Sequence, residues 1–599
     1  MKREFRKGSE ALVTDSSGLK ETRMMKAIVW TLLVFLCLMI ASIVVLSLVP
    51  PVSKDALTHH LAVPKLYLKH GGIYEIPDIL FSYYPMNLNL LYIIPLYFGN
   101  DIIPKFIHFS FALLTAGLIF FYLKKRINAL YALLGMLFFL STPIIIALSI
   151  TVYVDLGLIF FSTASLLCLF KWAESHFKMK YLCFSAVCCG LALGTKYNGM
   201  ITLFLTALFV PFIYLRSIAN RDDLARDRQA NSIKPNRYKR QPLSQLKSMG
   251  YAMVFVTVSL AVFSPWMIRN TIWTNNPLYP LYDSYFNPPE SKSYAKIVMD
   301  RGFATSASAK NLNHFSLRSL IYGEPWWRIA LIPIRIFFEG RDGTPQYFDG
   351  KLNPLLFFLP FFAFFHSERD ILLLRAEKKM LAVFSILFIL LVLFLIDMRI
   401  RWVGPAIPPL IILSVFGLHN IFAWIRNNSS ERMKKICTTL VTLIVILLIG
   451  LNVNYLMDQF RIVDPASYIS GRVGRDDYID RFRKEYPVVQ FANDNLPEDA
   501  KILCLFLGKR RYYSDREMVF DEGFFLDILR RSKSSEQILF SLGKRGITHL
   551  FIRYDLFKQW QIDNFDTREN RIFADFFHNY VNLLFSKNNY GLFELINVH

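Results

Sequence analysis

The chain has 599 residues, 54% of them hydrophobic and only 19% charged, with a mean hydropathy of +0.33. A soluble globular chain averages nearer ~25% charged residues, so a water-soluble enzyme is excluded, as are disordered and collagen-like chains. The formal net charge of +22 would point to nucleic acid in a soluble protein, but in a chain this apolar it is read against a membrane, with no nucleic-acid partner expected.

The tail of residues 1–26 is rich in Lys and Arg, and the apolar run Ala27 to Val49 follows it. That run has the ~20 residues a bilayer crossing needs and no small-residue cleavage site, so it reads as an anchor that stays. Further apolar runs lie near 102–123, 129–149, 155–171, 181–196, 199–215, 249–268, 352–366, 380–397, 402–425 and 436–456. Hydropathy therefore predicts about eleven crossings.

Basic clusters at Lys124–Arg126, Lys171–Lys180, Arg216–Lys247 and Arg432–Lys435 place the N-terminus in the cytoplasm. Because both flanks of 181–215 are then cytoplasmic, that stretch must go out and return, and its polar break Gly194-Thr195-Lys196-Tyr197-Asn198-Gly199 puts Lys196 at the external face. The expected organisation is a cytoplasmic tail at 1–26, a membrane domain at 27–456 with external loops 50–101 and 269–351, and an external domain at 457–599. The mixed-charge stretch 220–248 reads as a cytoplasmic loop. In the last domain, strand-like Ile502–Leu507, Met518–Phe520 and Thr548–Ile552 alternate with polar helical stretches such as Ser534–Lys544, which predicts a small α/β fold.

Of the seven cysteines, Cys37, Cys168, Cys183, Cys188, Cys189 and Cys437 lie in or beside apolar runs, and Cys504 sits alone in a polar region. No disulfide framework follows from them. On this topology an impermeant thiol reagent should reach Cys504 from outside, if it is locally exposed, and a cysteine placed at Asn287, but not one at Asn231.

The membrane interior reads as nearly free of ionisable groups, so the informative charges are those at external helix ends: Asp55, Asp155, Lys196, Arg269, Arg399 and Arg401. Asp55 opens a stretch whose apolar positions Leu57, Leu61, Pro64 and Leu68 suggest a short helix along the membrane surface. Asp155 opens a transmembrane helix. Each acid could simply complement a helix dipole; together at one interface they could serve as general base and as orienting or metal-binding group. His59, one helical turn from Asp55, leaves a divalent metal there open. Lys196, Arg269, Arg399 and Arg401 could each snorkel, yet as a group they supply the fixed cations a phosphate leaving group needs. Asp349, in the 269–351 loop, is a further candidate.

Asp55 after one span, Tyr84-Pro85, Asp155 at a later helix start, Gly190 through Gly199 with Lys196, Arg269-Asn270 before Asn276-Pro277-Leu278-Tyr279-Pro280, Phe348-Asp349-Gly350 and Arg401 through Pro409 occur in that order. In this the chain resembles the glycosyltransferase C superfamily, and within it the bacterial branch similar to protein O-mannosyltransferases and lipid A aminoarabinose transferases. It departs from the family pattern at Asp55-Ala56, where relatives often carry an acidic pair, and at Arg401-Trp402, where they carry Arg-Tyr.

The resemblance implies inverting sugar transfer from a polyprenyl-phosphate-linked donor to a lipid, glycan or protein acceptor at the external face of a cell inner membrane. It further implies Asp55 as base, Asp155 as the group orienting Asp55 or the acceptor, Lys196 and Arg401 on the donor phosphate, and Tyr84 in substrate binding. The competing readings are a transporter or flippase of lipid-linked glycans and a polymerase or ligase using a diphosphate-linked glycan. A transporter has no need of an acid at position 55.

Overall fold

The computed structural model describes residues 16–228, 237–288, 314–365 and 372–596. The first part of the N-terminal tail, the middle of the 220–248 loop and Asn231 lie outside the described residues.

All eleven apolar runs are helical. In chain order, the helices that matter below are α1 (Ser16–Ser47), α2 (Ala62–His70), α3 (Asn87–Tyr97), α4 (Ile103–Arg126), α5 (Ala129–Ser141), α6 (Pro143–Ser149), α7 (Asp155–Glu174), α8 (Met179–Leu193), α9 (Gly199–Arg228), α10 (Arg237–Thr274), α11 (Leu355–Phe362), α12 (Leu372–Leu395), α13 (Ile407–Asn428) and α14 (Glu431–Val463). Among the described residues, eight helices are long and apolar enough to cross a membrane, or nine if the bent pair α5–α6 is one span.

The other two runs form short helices, α8 with 15 residues and α11 with 8. At ~1.5 Å per residue neither covers a ~30 Å hydrocarbon core alone. The 66° bend between α5 and α6 has a local cause. Pro143 follows Thr142, whose backbone is extended (φ −61°, ψ 126°), as the residue before a proline prefers.

The chain divides into two compact units. One combines the segment up to Leu46 with Ser110–Ala147 and Pro333–Gln459. Inside it, buried polar groups pair with one another. Asn353 Nδ2 donates to Asn452 Oδ1 (2.7 Å), Asn452 Nδ2 donates to Ser141 Oγ (3.1 Å), and Glu377 accepts from Arg126 (2.5 Å) and Tyr122 (2.7 Å).

The other unit combines Ser47–Phe109, Leu148–Ile332 and Phe460–His599. It holds α7–α10 and the C-terminal α/β domain. That domain is a five-stranded sheet of β1 (Lys501–Leu505), β2 (Glu517–Val519), β3 (His549–Arg553), β4 (Val581–Lys587) and β5 (Tyr590–Leu595), in the order β2-β1-β3-β5-β4. Strands β2, β1 and β3 are parallel, and β5 joins β3 and β4 antiparallel.

Strand β1 explains its own apolar run, because successive side chains enter opposite cores. Leu503 and Leu505 pack with Phe525, Ile538 and Phe573, whereas Ile502 and Cys504 pack with Val488 and Leu592. This corrects the expectation for Cys504. The thiol is fully buried in the sheet, where burial also raises its pKa, so it offers an outside reagent nothing to react with.

Candidate functional site

Asp55 stands at the head of an unusual turn. After α1 ends, Pro50 and Pro51 cannot continue a helix, and the chain re-enters helical structure at Asp55. The turn Ala56–His60 is π-helical, with the Leu61 N–H bonded five residues back to the Ala56 carbonyl (2.9 Å). Such widened turns are frequent at functional sites.

The expected short helix is present, the π-helical turn running into α2, but its N-terminal part does not lie open on a surface. Ala56, Leu57, Leu61, Ala62 and Val63 are all buried: Val63 packs with Leu193, Tyr197 and Phe263, and the C-terminal domain covers the turn. The Leu57 carbonyl accepts the backbone N–H groups of Arg511 and Tyr512 (3.1 Å each), Tyr513 Oη donates to the Pro51 carbonyl (2.8 Å), and Lys65 Nζ donates to the carbonyls of Tyr512 (2.9 Å) and Ser514 (3.0 Å).

The two histidines of the turn are engaged. His59 lies 2.9 Å from the Thr58 hydroxyl through Nδ1 and stacks on Phe81 at 4.4 Å. The Nδ1 atom of His60 accepts from Asn89 Nδ2 (3.0 Å), and its ring lies 5.7 Å from that of Tyr153. The His60–Tyr153 contact brings the segment carrying Asp55 beside the one carrying Asp155. Among the described residues no group of three or more His, Cys, Asp or Glu side chains could hold a metal ion. With His59 stacked and hydrogen-bonded, the residues do not fit a metal at Asp55.

Asp155 is the first residue of α7 and is buried, and Lys196 Nζ donates to its Oδ1 at 2.7 Å. The Lys196 side chain is itself only 14% exposed. Two candidates from segments far apart in sequence therefore form one buried ion pair.

Glycines set the approach of the Lys196 loop. A Cβ at Gly194 would lie 2.2 Å from Asn87 Nδ2, and one at Gly199 would lie 2.6 Å from the Ala192 carbonyl carbon. Asn87 in turn accepts from Trp266 Nε1 (2.8 Å), and its own N–H donates to the Gly194 carbonyl (2.9 Å).

His108, absent from the sequence-derived candidates, fixes the start of α7. Its Nε2 accepts the Leu156 N–H (3.0 Å), so the proton sits on Nδ1, which faces the carbonyls of Leu148 and Thr151 at 3.0 Å each. A lone histidine in an apolar helix gives no signal of this in the sequence. Lys105, one turn earlier, is likewise buried and donates to the Val49 carbonyl (2.8 Å). The membrane part is thus less free of ionisable groups than hydropathy implies.

Arg269 does not snorkel. Its guanidinium lies between the rings of Trp266 (4.6 Å) and Trp273 (4.8 Å), and Nη2 donates to the carbonyls of Tyr83 (2.6 Å) and Tyr84 (3.2 Å) and to Asn270 Oδ1 (2.8 Å). Its Nη1 and the nearby Tyr67 hydroxyl are buried, and the two side chains interact with each other. Burial raises the Tyr67 phenol above its usual range, against the opposing pull of Arg269. Tyr84 packs edge-on against Phe81 (5.3 Å) and Tyr197 (5.2 Å), and burial raises its phenol too.

The remaining candidates belong to the first unit. Arg399 pairs with Asp397 at 3.4 Å in a half-exposed position, Arg401 lies over the Trp402 ring at 6.0 Å, and Asp349 Oδ1 accepts the Gly343 N–H at 2.9 Å.

The family model described as dolichyl-phosphate-mannose-protein mannosyltransferase matches residues 65–229, which include Asp155 and Lys196. No curated protein sequence matches the chain. The structure aligns with ArnT from Cupriavidus metallidurans in the apo state at a TM-score of 0.52 and 12% identity, over 94% of this chain and 97% of that one. The same protein bound to undecaprenyl phosphate aligns at 0.52 and 13% identity, with the same coverage. The chain has the glycosyltransferase C fold. The Archaeoglobus fulgidus oligosaccharyltransferase in the apo form aligns at a TM-score of 0.46 and 12% identity, over 86% of this chain and 70% of that one. Within this glycosyltransferase C fold, Asp55 falls just ahead of the matched segment and the α/β domain well after it.

Proposed function

We propose that the protein transfers a sugar from a polyprenyl-phosphate-linked donor to an acceptor hydroxyl at the external face of a cell membrane, with inversion at the anomeric carbon. The observation that carries this reading is the fold shared over nearly the whole chain with ArnT from Cupriavidus metallidurans, crystallised bound to undecaprenyl phosphate. Asp55 is the general base. It takes the proton of the acceptor hydroxyl as that oxygen attacks the anomeric carbon and the bond to the phosphate breaks. The leaving lipid phosphate gains charge at that moment, and cations already fixed in place stabilise it without reorganising.

Arg269 suits that task, since its guanidinium is held in place by two indoles and two carbonyls. Lys196 joins it in this reading, and Arg401 and Arg399 are the phosphate-binding candidates of the first unit. Asp155 orients Lys196 through their ion pair, a role that differs from the orientation of Asp55 or the acceptor that the resemblance implies. Tyr84, His59 and Asp349 are assigned to substrate contacts. An external location of the α/β domain, a cytoplasmic N-terminus and an inner-membrane setting belong to the same reading.

The test is transfer in liposomes supplied with candidate polyprenyl-phosphate sugars, followed as release of lipid phosphate. Asp55→Asn should lose about 10²–10⁴ in rate, the usual contribution of a general base. A loss below about tenfold would remove Asp55 from the chemistry. Movement of intact donor across the bilayer, unchanged by Asp55→Asn and without lipid release, would replace transfer with transport.

A further inference from the structure

The C-terminal domain contributes a second basic pocket. After β1 the chain runs Gly508-Lys509-Arg510-Arg511-Tyr512-Tyr513, and this loop folds over the Asp55 turn. Beneath it lies a small cleft, open to solvent, lined by Leu57, Arg483, Tyr486, Arg510, Tyr512 and Tyr513 among others.

Its hydroxyls are already committed elsewhere. Tyr486 donates to Asp476 (2.7 Å), Tyr512 faces Asp101 (3.3 Å) and Tyr513 donates to the Pro51 carbonyl (2.8 Å). The charges are not balanced in the same way, because two guanidiniums face the cavity and one carboxylate, Glu485, opposes them. That carboxylate is taken by Arg510 Nε. Arg483 donates through Nη1 to the Phe482 carbonyl (3.0 Å), while its Nε is buried with no acceptor among the described residues. Burial and the charge of Arg510 push Arg483 below the usual guanidinium range, against the opposing pull of Glu485.

The pocket sits where an acceptor must arrive. Leu57, two residues after Asp55, is part of its wall. Arg483 also lies close enough to Tyr153 to interact with it electrostatically, and Tyr153 precedes Asp155 by two residues. Two forked guanidiniums match the oxygens of a phosphate group, and the local excess of positive charge favours an anion over a neutral sugar.

We propose that the Arg483–Arg510 pocket binds a phosphate group of the acceptor and so holds the acceptor hydroxyl over the Asp55 turn. The proposal rests on the transfer reading above, but its test does not require turnover.

Amide hydrogen exchange of the purified full-length protein is followed in peptides covering 483–490 and 506–516, with inorganic phosphate titrated against chloride at constant ionic strength. Wild type should show saturable protection in both peptides. Arg483→Gln should weaken it about tenfold to a hundredfold, the scale of one charge-assisted contact. Arg483→Lys, which keeps the charge and guards against a folding defect, should weaken it less, because the fork is lost. Phosphate binding unchanged in Arg483→Gln would overturn the pocket. Protection produced by undecaprenyl phosphate in phosphatidylcholine vesicles, and not by inorganic phosphate, would assign the pocket to the donor and overturn the acceptor role. Absence of sugar transfer with phosphate protection intact would count against the transfer reading alone.

Discussion

Asp155 and Asp55 are held by different means. Asp155 is fixed by helices packed against each other. It opens α7, pairs with Lys196 from the α8–α9 loop, and sits beside a helix start that His108 locks. Asp55 heads a π-helical turn after two prolines, and that turn owes its position to a domain hundreds of residues downstream, through Leu57, Pro51 and Lys65. A carboxylate opposed by a buried cation is preorganised but costly to disturb. One carried on a borrowed scaffold can be altered chemically with little effect on the fold. Catalysis and stability should therefore separate between the two acids.

The largest expected effect tests that separation. Asp55→Asn should remove about 10²–10⁴ of the transfer rate while thermal unfolding in detergent stays where it is, since the amide keeps the shape of the turn. Lys196→Ala should do the reverse in part. Breaking a buried pair strands the Asp155 carboxylate and costs about 3–5 kcal/mol of stability, read as a lower unfolding midpoint, with activity falling alongside. Joint replacement of Asp155 and Lys196 by apolar residues should recover much of that stability and none of the activity. If Lys196→Ala unfolds like wild type, the ion pair is not the anchor described here.

A smaller contrast lies within the Lys196 loop. A Cβ at Gly194 meets the end of the Asn87 side chain, whereas one at Gly199 meets the Ala192 backbone. Overpacking of this kind costs about 1–3 kcal/mol, and a side-chain amide can turn aside where a carbonyl cannot. Gly199→Ala should therefore lower the unfolding midpoint more than Gly194→Ala. Equal midpoints would mean that the loop has more freedom than its contacts suggest.

Much of this architecture is legible in the sequence, and what is not has physical causes. Apolar runs report helices faithfully, because every backbone polar group in a bilayer must be satisfied within its own segment. They report span counts less well, since α8 and α11 are apolar but short. The strands β1–β3 announce themselves by β-branched and aromatic runs. The hairpin of β4 and β5 is quieter: β4 is largely solvent-facing, and its one signal is Asn588-Asn589, which adopts positive φ (54° and 71°) as tight hairpin turns require.

At the site, residue types and their order were informative and partners were not. Nothing local to Lys196 announces Asp155, and nothing local to Lys65 announces Tyr512, 447 residues away. Cys504 misleads when the polar flanks of its segment are weighed above the apolar run Ile502–Leu507 that carries it, because that run is a strand buried on both faces.

The smallest predicted effect bears on whether the downstream domain does more than cover the Asp55 turn. Tyr513 Oη reaches the Pro51 carbonyl four residues before Asp55, across a contact with no charge on either side. Removing that hydroxyl in Tyr513→Phe keeps the ring and its edge contacts with Tyr486 and Tyr512 at 5.1 and 5.0 Å. One neutral hydrogen bond contributes about 0.5–1.5 kcal/mol, so overall stability should shift by no more than that. A domain that merely shields the turn would show this stability change and nothing else. A domain that positions it should also let the turn drift, so the maximal transfer rate should fall a few-fold while the KM for donor holds, because Arg269 and Lys196 lie on other elements. Equal changes in both parameters, or in neither, would reduce the domain to a cover.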